Sequence, residues 1–247
     1  MVKISCGGVI FPKIKAILFD KDGTLEDSRE YLLQLTKERV QQIVSIAPDV
    51  SSILSLSFGI KEDMLDAEGL MAVGSRQENE LGAAAIVASC GYGWYEAKEI
   101  VKEAFIKAHY KVAPNQTNSP LFADARKTIQ ALAKNKVKLG IVSADSLSQI
   151  EDFVCREDLK DYFQVLLGSD ARLSKPDPLL YSKACRILGI EPNYTLMVGD
   201  SVGDITMAEE AGAMGTVGIC WHSLSRSPNL HRATVRIANL QEIEVIS

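Results

Sequence analysis

The sequence predicts an α/β fold, a parallel sheet flanked by helices and interrupted near its start by an all-helical insertion. Three observations predict it. From the middle of the chain onward, short apolar runs alternate with amphipathic helical stretches, the signature of strand–helix–strand units and a parallel sheet. A further apolar run, residues 16–19, stands alone ahead of a long stretch with helical spacing and no alternating strand pattern. And each chemically conspicuous segment falls at or just beyond the end of an apolar run, the sheet edge at which open α/β folds bind ligands.

Taken in order, the first strand spans residues 16–19 and ends at Asp20-Lys21-Asp22-Gly23-Thr24-Leu25. Helical spacing follows. Residues 31–46 carry Leu32, Leu35, Val40, Ile43 and Val44 on one stripe, residues 82–90 are alanine-rich, and residues 94–110 repeat the stripe with Ile100, Val101, Ala104, Phe105 and Ala108. The return linker, residues 114–120, is polar and carries two prolines, as a hinge does. A helix at residues 124–134, with Ala125, Ile129, Leu132 and Ala133 in register, leads to a strand at 137–142 and a weaker one at 165–167. A helix at 179–188 leads to strands at 195–198 and 216–220, and a short run at 234–237 closes an edge. The expected organisation is a core of residues 1–25 and 119–247 with residues 26–118 inserted.

Composition narrows the function. With 247 residues, 47% hydrophobic and 24% charged, the chain has room for a main domain and a smaller second one. A net charge of −5 with no basic run argues against nucleic acid as the partner. Cys6, Cys90, Cys155, Cys185 and Cys220 are scattered and lack metal-ligand spacing, so they read as mostly buried small hydrophobes in a reducing compartment. No apolar run reaches the ~20 residues of a membrane helix. Residues 1–11 lack the apolar core and cleavage site of a signal peptide. The expectation is a cytoplasmic protein.

Four segments carry the chemistry. Asp20 and Asp22 lie one residue apart at a strand end, where mutual repulsion is relieved by a cation between them or a proton on one. Ser143 follows the second strand. Lys175 sits in Ser174-Lys175-Pro176-Asp177-Pro178, ahead of a helix that Asp177 caps and Pro178 begins. Gly199-Asp200-Ser201-Val202-Gly203-Asp204 follows the strand at 195–198. Singly, Ser143 is a turn residue, Lys175 a surface lysine and Asp204 a helix N-terminal charge. Parallel strands deliver all their carboxyl ends to one edge, so the four segments converge.

In order and kind, these segments resemble the four motifs of the haloacid dehalogenase superfamily: DxDGT, a Ser or Thr after the second strand, a Lys, and GDxxxD. The resemblance implies a Rossmann-like core, with the helical insertion in the position of that family's C1 cap. It implies a Mg²⁺-dependent phosphomonoester hydrolase of phosphoglycolate-phosphatase type acting on a small phosphorylated metabolite. Asp20 resembles the nucleophile that forms an aspartyl-phosphate, and Asp22 the general acid/base. Asp20, Asp22 through its backbone carbonyl, and Asp200 resemble the Mg²⁺ ligands; Asp204 would hold a metal-bound water or pair with Lys175. Ser143, with the turn at Ala144, would bind a phosphate oxygen. Lys175 would supply a point charge to the phosphoryl group and orient Asp20. Gly23 and Thr24 would shape the phosphate loop, and Arg29 and Arg76 of the insertion are candidates for an anionic substrate.

Asp22 separates the chain from dehalogenases, which lack a second aspartate there, and from phosphonate hydrolases, which carry a small residue. A sugar phosphomutase using the same chemistry and a non-catalytic scaffold are the alternatives. His109 and His222 read as structural or surface groups, and Trp94 and Tyr95 as packing residues of the insertion. The chain departs from the family pattern at two places. Lys21 stands where an apolar residue is common, with its side chain expected to point away from Asp20 and Asp22. Asp145, following Ala144, leaves open whether it contributes charge to the site.

Overall fold

A computed structural model describes residues 1–246 apart from 63, 67–68, 117–118, 171–172 and 222–227; His222 lies outside the described residues. The chain divides into two compact units, Met1–Asp27 with Pro120–Ser247, and Ser28–Ser119.

The first unit begins with a hairpin that the sequence reading did not separate: β1 (Val2–Cys6) and β2 (Val9–Ile14) joined at Gly7-Gly8. Both glycines take positive φ, +50° and +84°, as a two-residue hairpin turn demands. Then come β3 (Ala16–Phe19) and, in the second unit, α1 (Arg29–Val44), α2 (Ser51–Phe58), β4 (Ile60–Lys61), β5 (Met64–Leu65), α3 (Leu70–Val73), α4 (Arg76–Ser89) and α5 (Trp94–Gln116). The first unit resumes with α6 (Ala125–Lys134), β6 (Lys138–Val142), α7 (Leu147–Arg156), β7 (Phe163–Leu167), α8 (Pro178–Leu188), β8 (Thr195–Gly199), α9 (Val202–Glu210), β9 (Gly215–Ile219), β10 (Val235–Ile237) and β11 (Ile243–Ile246).

Six strands form one all-parallel sheet in the order β10-β9-β8-β3-β6-β7. They correspond to the six apolar runs of the sequence. β3 shows why such runs are continuous rather than alternating. Ile17 and Phe19 pack in the cluster that includes α6 and α7, whereas Ala16 and Leu18 pack with Leu180, Ala184 and Met207 of α8 and α9. Both faces are covered, so every position must be apolar. The chain runs outward from β3 through β6 to β7 and returns to the other side of β3 at β8. That reversal makes the β3/β8 crevice the place where a ligand is expected. A separate antiparallel sheet, β11-β1-β2, adds Ile4, Phe11, Ile14 and Ile243 to the α6/α7 side of the core.

The second unit is helical around its own core, with Leu35, Ile43, Leu54, Phe58, Val101 and Phe105 buried together. Three details differ from expectation. β4 and β5 form a two-residue antiparallel pair, too short to leave a period in the sequence. Helix α5 runs on to Gln116, taking in the first residues of the expected linker. Trp94 and Tyr95 are not packing residues: they occupy the first turn of α5, 46% and 81% exposed, because its buried stripe begins at Ala97.

Candidate active site

The motif-one loop is built by its backbone. Asp20 N–H donates to the Val198 carbonyl at 2.9 Å, continuing the β3–β8 ladder one residue past the strand. The chain then folds back: Leu25 and Glu26 N–H donate to the Lys21 carbonyl at 2.9 and 3.0 Å, and Gly23 N–H to the Glu26 carbonyl at 2.9 Å. Gly23 has φ +75°, and a Cβ there would lie 2.0 Å from Asp200 Oδ2. Only glycine lets the loop pass that carboxylate. The Gly23 carbonyl accepts from Trp221 Nε1 at 3.1 Å, and the Trp221 ring stacks on Phe122 at 3.9 Å.

The GDxxxD segment turns from β8 into α9 through a capping box: Ser201 Oγ accepts from Asp204 N–H, and Asp204 Oδ2 accepts from Ser201 N–H. Ser201 Oγ also donates to Asp204 Oδ2 at 2.6 Å. Gly199 is tight for the same reason, since a Cβ would meet Asp204 Cγ at 2.4 Å. Asp204 is thereby fully buried, with its other oxygen 2.6 Å from Lys175 Nζ. Lys175 also donates to Asp20 Oδ1. It precedes a cis bond to Pro176, and Asp177 caps α8 by accepting from Leu179 N–H at 2.9 Å.

Asp20, Asp200 and Asp204 thus converge, each offering an oxygen within 4.8 Å of the others. Asp20 is 5% exposed. Burial first, then the charges of Asp204 and Asp22, outweigh Lys175 and push its carboxyl up to about 7. Burial alone would lower the Lys175 ammonium, but Asp20 and Asp204 hold it above its ordinary value. Three hard oxygen donors gathered around a shortage of positive charge suit a small divalent cation.

Ser143 follows β6, the other neighbour of β3. It is buried, its N–H donates to the Leu167 carbonyl at 2.9 Å, and its Oγ accepts from Asp145 N–H at 3.1 Å. Ala144 is exposed at the turn. Thr24 is fully buried, and its hydroxyl finds no partner among the described residues. Arg29 and Arg76 belong to the second unit and both are exposed. Arg29 begins α1, and Arg76 begins α4 with its Nε 2.8 Å from Glu80 Oε1, an ordinary surface pair.

Lys21 corrects an expectation. Its side chain does not point away from Asp22: it is 1% exposed, with Nζ 2.8 Å from Asp22 Oδ1, 2.7 Å from Glu26 Oε2 and 3.0 Å from Asp145 Oδ2. The turn back to Glu26 sets a second carboxylate beside it, and a buried ammonium needs such partners. Asp145 therefore does contribute charge beside Asp22. Its own carboxyl is pushed up to about 7 by burial and by Asp22, against the pull of Lys21. Glu26, Arg156 and Trp221 were missed in the sequence; each is one residue in an otherwise ordinary segment, with nothing in its spacing to mark it.

With this geometry in hand, relatives can be compared. A model of haloacid dehalogenase-like hydrolases matches residues 14–212. The chain belongs to that family. A protein of Clostridium perfringens that bears a provisional pyrophosphatase name is 26% identical over 214 residues, 85% of this chain and 86% of that one. The phosphoglycolate phosphatase of Yersinia pestis is 28% identical over 206 residues, 83% and 80% of the two chains. The crystal structure of a haloacid dehalogenase-family hydrolase (family IA, variant 3) from Entamoeba histolytica superposes with TM-score 0.68 at 20% identity, covering 93% of this chain and 95% of that one. The family member described here is thus an enzyme of the hydrolase class. None of the helices among its described residues is long and apolar enough to cross a membrane.

Proposed function

We propose that the chain is a Mg²⁺-dependent phosphomonoesterase acting through an aspartyl-phosphate on a small phosphorylated metabolite. The observation that carries this reading is the buried ensemble of Asp20, Asp204 and Lys175 beside Asp200 at the β3/β8 crevice. Asp20 attacks phosphorus, and its Oδ1 is held by the Lys175 ammonium, which also lowers the charge that a phosphate dianion meets. Asp22 gives a proton to the leaving alkoxide and then takes one from the attacking water. Ser143 and the N–H groups of the turn at Ala144 bind phosphoryl oxygens, and Gly23 and Thr24 shape the wall opposite.

A bound Mg²⁺ would draw charge from the carboxylates and the phosphate together. Asp20, Asp200 and the Asp22 carbonyl would hold it. Asp204, whose two oxygens already engage Ser201 and Lys175, supports the set from behind. The helical unit, Ser28–Ser119, would act as a cap that selects the substrate, with Arg29 and Arg76 as its candidate contacts. The phosphoglycolate phosphatase of Y. pestis makes phosphoglycolate the first substrate to try, and the C. perfringens protein adds pyrophosphate to the panel.

The test is release of inorganic phosphate from a panel of small phosphate esters, with Mg²⁺ and with chelator, beside Asp20→Asn. Release that needs Mg²⁺ and is lost in the variant supports the reading. An isomerised sugar phosphate in place of free phosphate would mean a mutase, and no turnover on a broad panel would mean a scaffold.

A further inference from the structure

Trp221 lies beyond residues 14–212, the span that the family model matches, and the proposed chemistry makes no use of it. It stands just past β9, where Cys220 N–H donates to the Ile237 carbonyl at 2.9 Å and carries the β9–β10 ladder one residue further. From that fixed backbone the indole reaches the loop after β3. Its Nε1 donates to the Gly23 carbonyl at 3.1 Å. Its ring lies flat on Phe122, with centroids 3.9 Å apart and planes 10° from parallel. Phe122 is tied to the same loop, since its N–H donates to the Leu25 carbonyl at 3.0 Å. Both the donor and the seat of the ring are thus set by backbone.

Gly23 needs such a hold. A glycine has the widest choice of backbone conformations of any residue, and this one sits at φ +75° against the Asp200 carboxylate, where a Cβ would meet Oδ2 at 2.0 Å. Nothing in its own side chain keeps it there. Two hydrogen bonds do: its N–H donates to the Glu26 carbonyl at 2.9 Å, and its carbonyl accepts from Trp221. The first is local to the turn. The second comes from a strand end that neighbours β8, the strand leading to Asp200.

From this we infer that Trp221 is a positioning residue for the metal end of the site. Its indole N–H fixes the Gly23 peptide, and the fixed glycine forms the wall against which the Asp200 carboxylate is set. The inference rests on the Mg²⁺ reading above. Without the N–H, Gly23 gains other conformers, and only the fraction that keeps the wall in place binds the ion at full strength.

The test removes the N–H and keeps the ring. Trp94, the other tryptophan of the chain, is half-exposed on the second unit, so Trp94→Phe leaves Trp221 as the one site at which benzothienylalanine, with sulfur in place of the indole N–H, is incorporated. Titration calorimetry with Mg²⁺ should show a Kd raised by about three- to tenfold over the Trp94→Phe parent, the factor that one net hydrogen bond carries. Saturating Mg²⁺ should bring phosphate release back to within about twofold of that parent, because the defect lies in holding the ion. Trp221→Phe, which also lacks the donor, should show the same split. An unchanged Kd in the folded analogue overturns the inference. So does a loss of turnover that saturating Mg²⁺ does not restore, which is the mark of a general packing defect. If the unmodified protein binds no Mg²⁺, the metal reading itself fails, and the inference falls with it.

Discussion

Lys175 Nζ lies 2.6 Å from Asp204 Oδ1 and donates with the same ammonium to Asp20, so one buried cation ties the end of β3 to the first turn of α9. Asp204 is fully buried, and removing its partner leaves a charge without compensation. Breaking such a pair costs about 3–5 kcal/mol, and loss of a preorganised donor costs roughly 10²–10³ in turnover. Lys175→Met should show both losses, read by denaturant unfolding and phosphate release. A variant as stable and active as the parent would remove Lys175 from the site.

The same crowding gives the metal-free protein an unusual pH dependence. Asp20 and Asp145 are each pushed up to about 7, in both cases chiefly by burial. A carboxyl whose folded value is raised contributes stability that is fully present below its unfolded value of about 4 and is lost as pH rises through the folded value. With chelator present, melting should therefore occur at a higher temperature near pH ~5.5 than near pH ~8. Mg²⁺ should recover the loss at the higher pH by binding the folded form, and Asp20→Asn should flatten the profile. A melting temperature that climbs steadily over this range would contradict the account.

Gly23 is a third point of test. Alanine there must adopt φ +75° and bring its Cβ to 2.0 Å from Asp200 Oδ2. The backbone cost is about 1–2 kcal/mol, which the fold can absorb, but Asp200 must move. Gly23→Ala should lower Mg²⁺ affinity and turnover by at least about tenfold while melting only a few degrees lower, as a loss of 1 kcal/mol predicts. Titration calorimetry with Mg²⁺ checks it, and unchanged affinity would show that Asp200 is not held by that approach.

How much of this was legible depended on how local each signal is. The six strands of the main sheet could be read because burial on both faces makes each a continuous apolar run, as residues 16–19 show. Asp20, Asp200 and Lys175 could be read because each follows or lies between such runs in a motif of fixed spacing. The hairpin of β1 and β2 was hidden by partial exposure, with Val9 and Ile10 on the surface, although Gly7-Gly8 between apolar residues was the available clue. Lys21 was misread because its three partners are set by the turn back to Glu26 and by a loop over a hundred residues away. No spacing rule encodes that contact. Glu26 and Arg156 are 130 residues apart and were invisible for the same reason.

The second unit offers a separate prediction about stability alone. Arg39, in the middle of α1, is 7% exposed and forms no ion pair with a carboxylate among the described residues. Its Nη1 reaches Met71 Sδ at 3.0 Å, its guanidinium lies 4.1 Å from the centre of the Phe105 ring, and its Nε has no partner among the described residues. The neighbouring Glu38 instead pairs with Lys111 at 2.7 Å. A buried cation satisfied by an aromatic face and a thioether carries a desolvation cost that neither contact fully offsets. Methionine keeps most of the volume and the contact with Phe105. Arg39→Met should therefore leave stability unchanged or raise it by about 1 kcal/mol, the sign found when buried charges give way to apolar groups of like size. Arg39→Ala should lose about 2 kcal/mol or more through the cavity left against Phe105. Equal losses in the two variants, measured by urea unfolding, would show that the guanidinium itself holds the helices together.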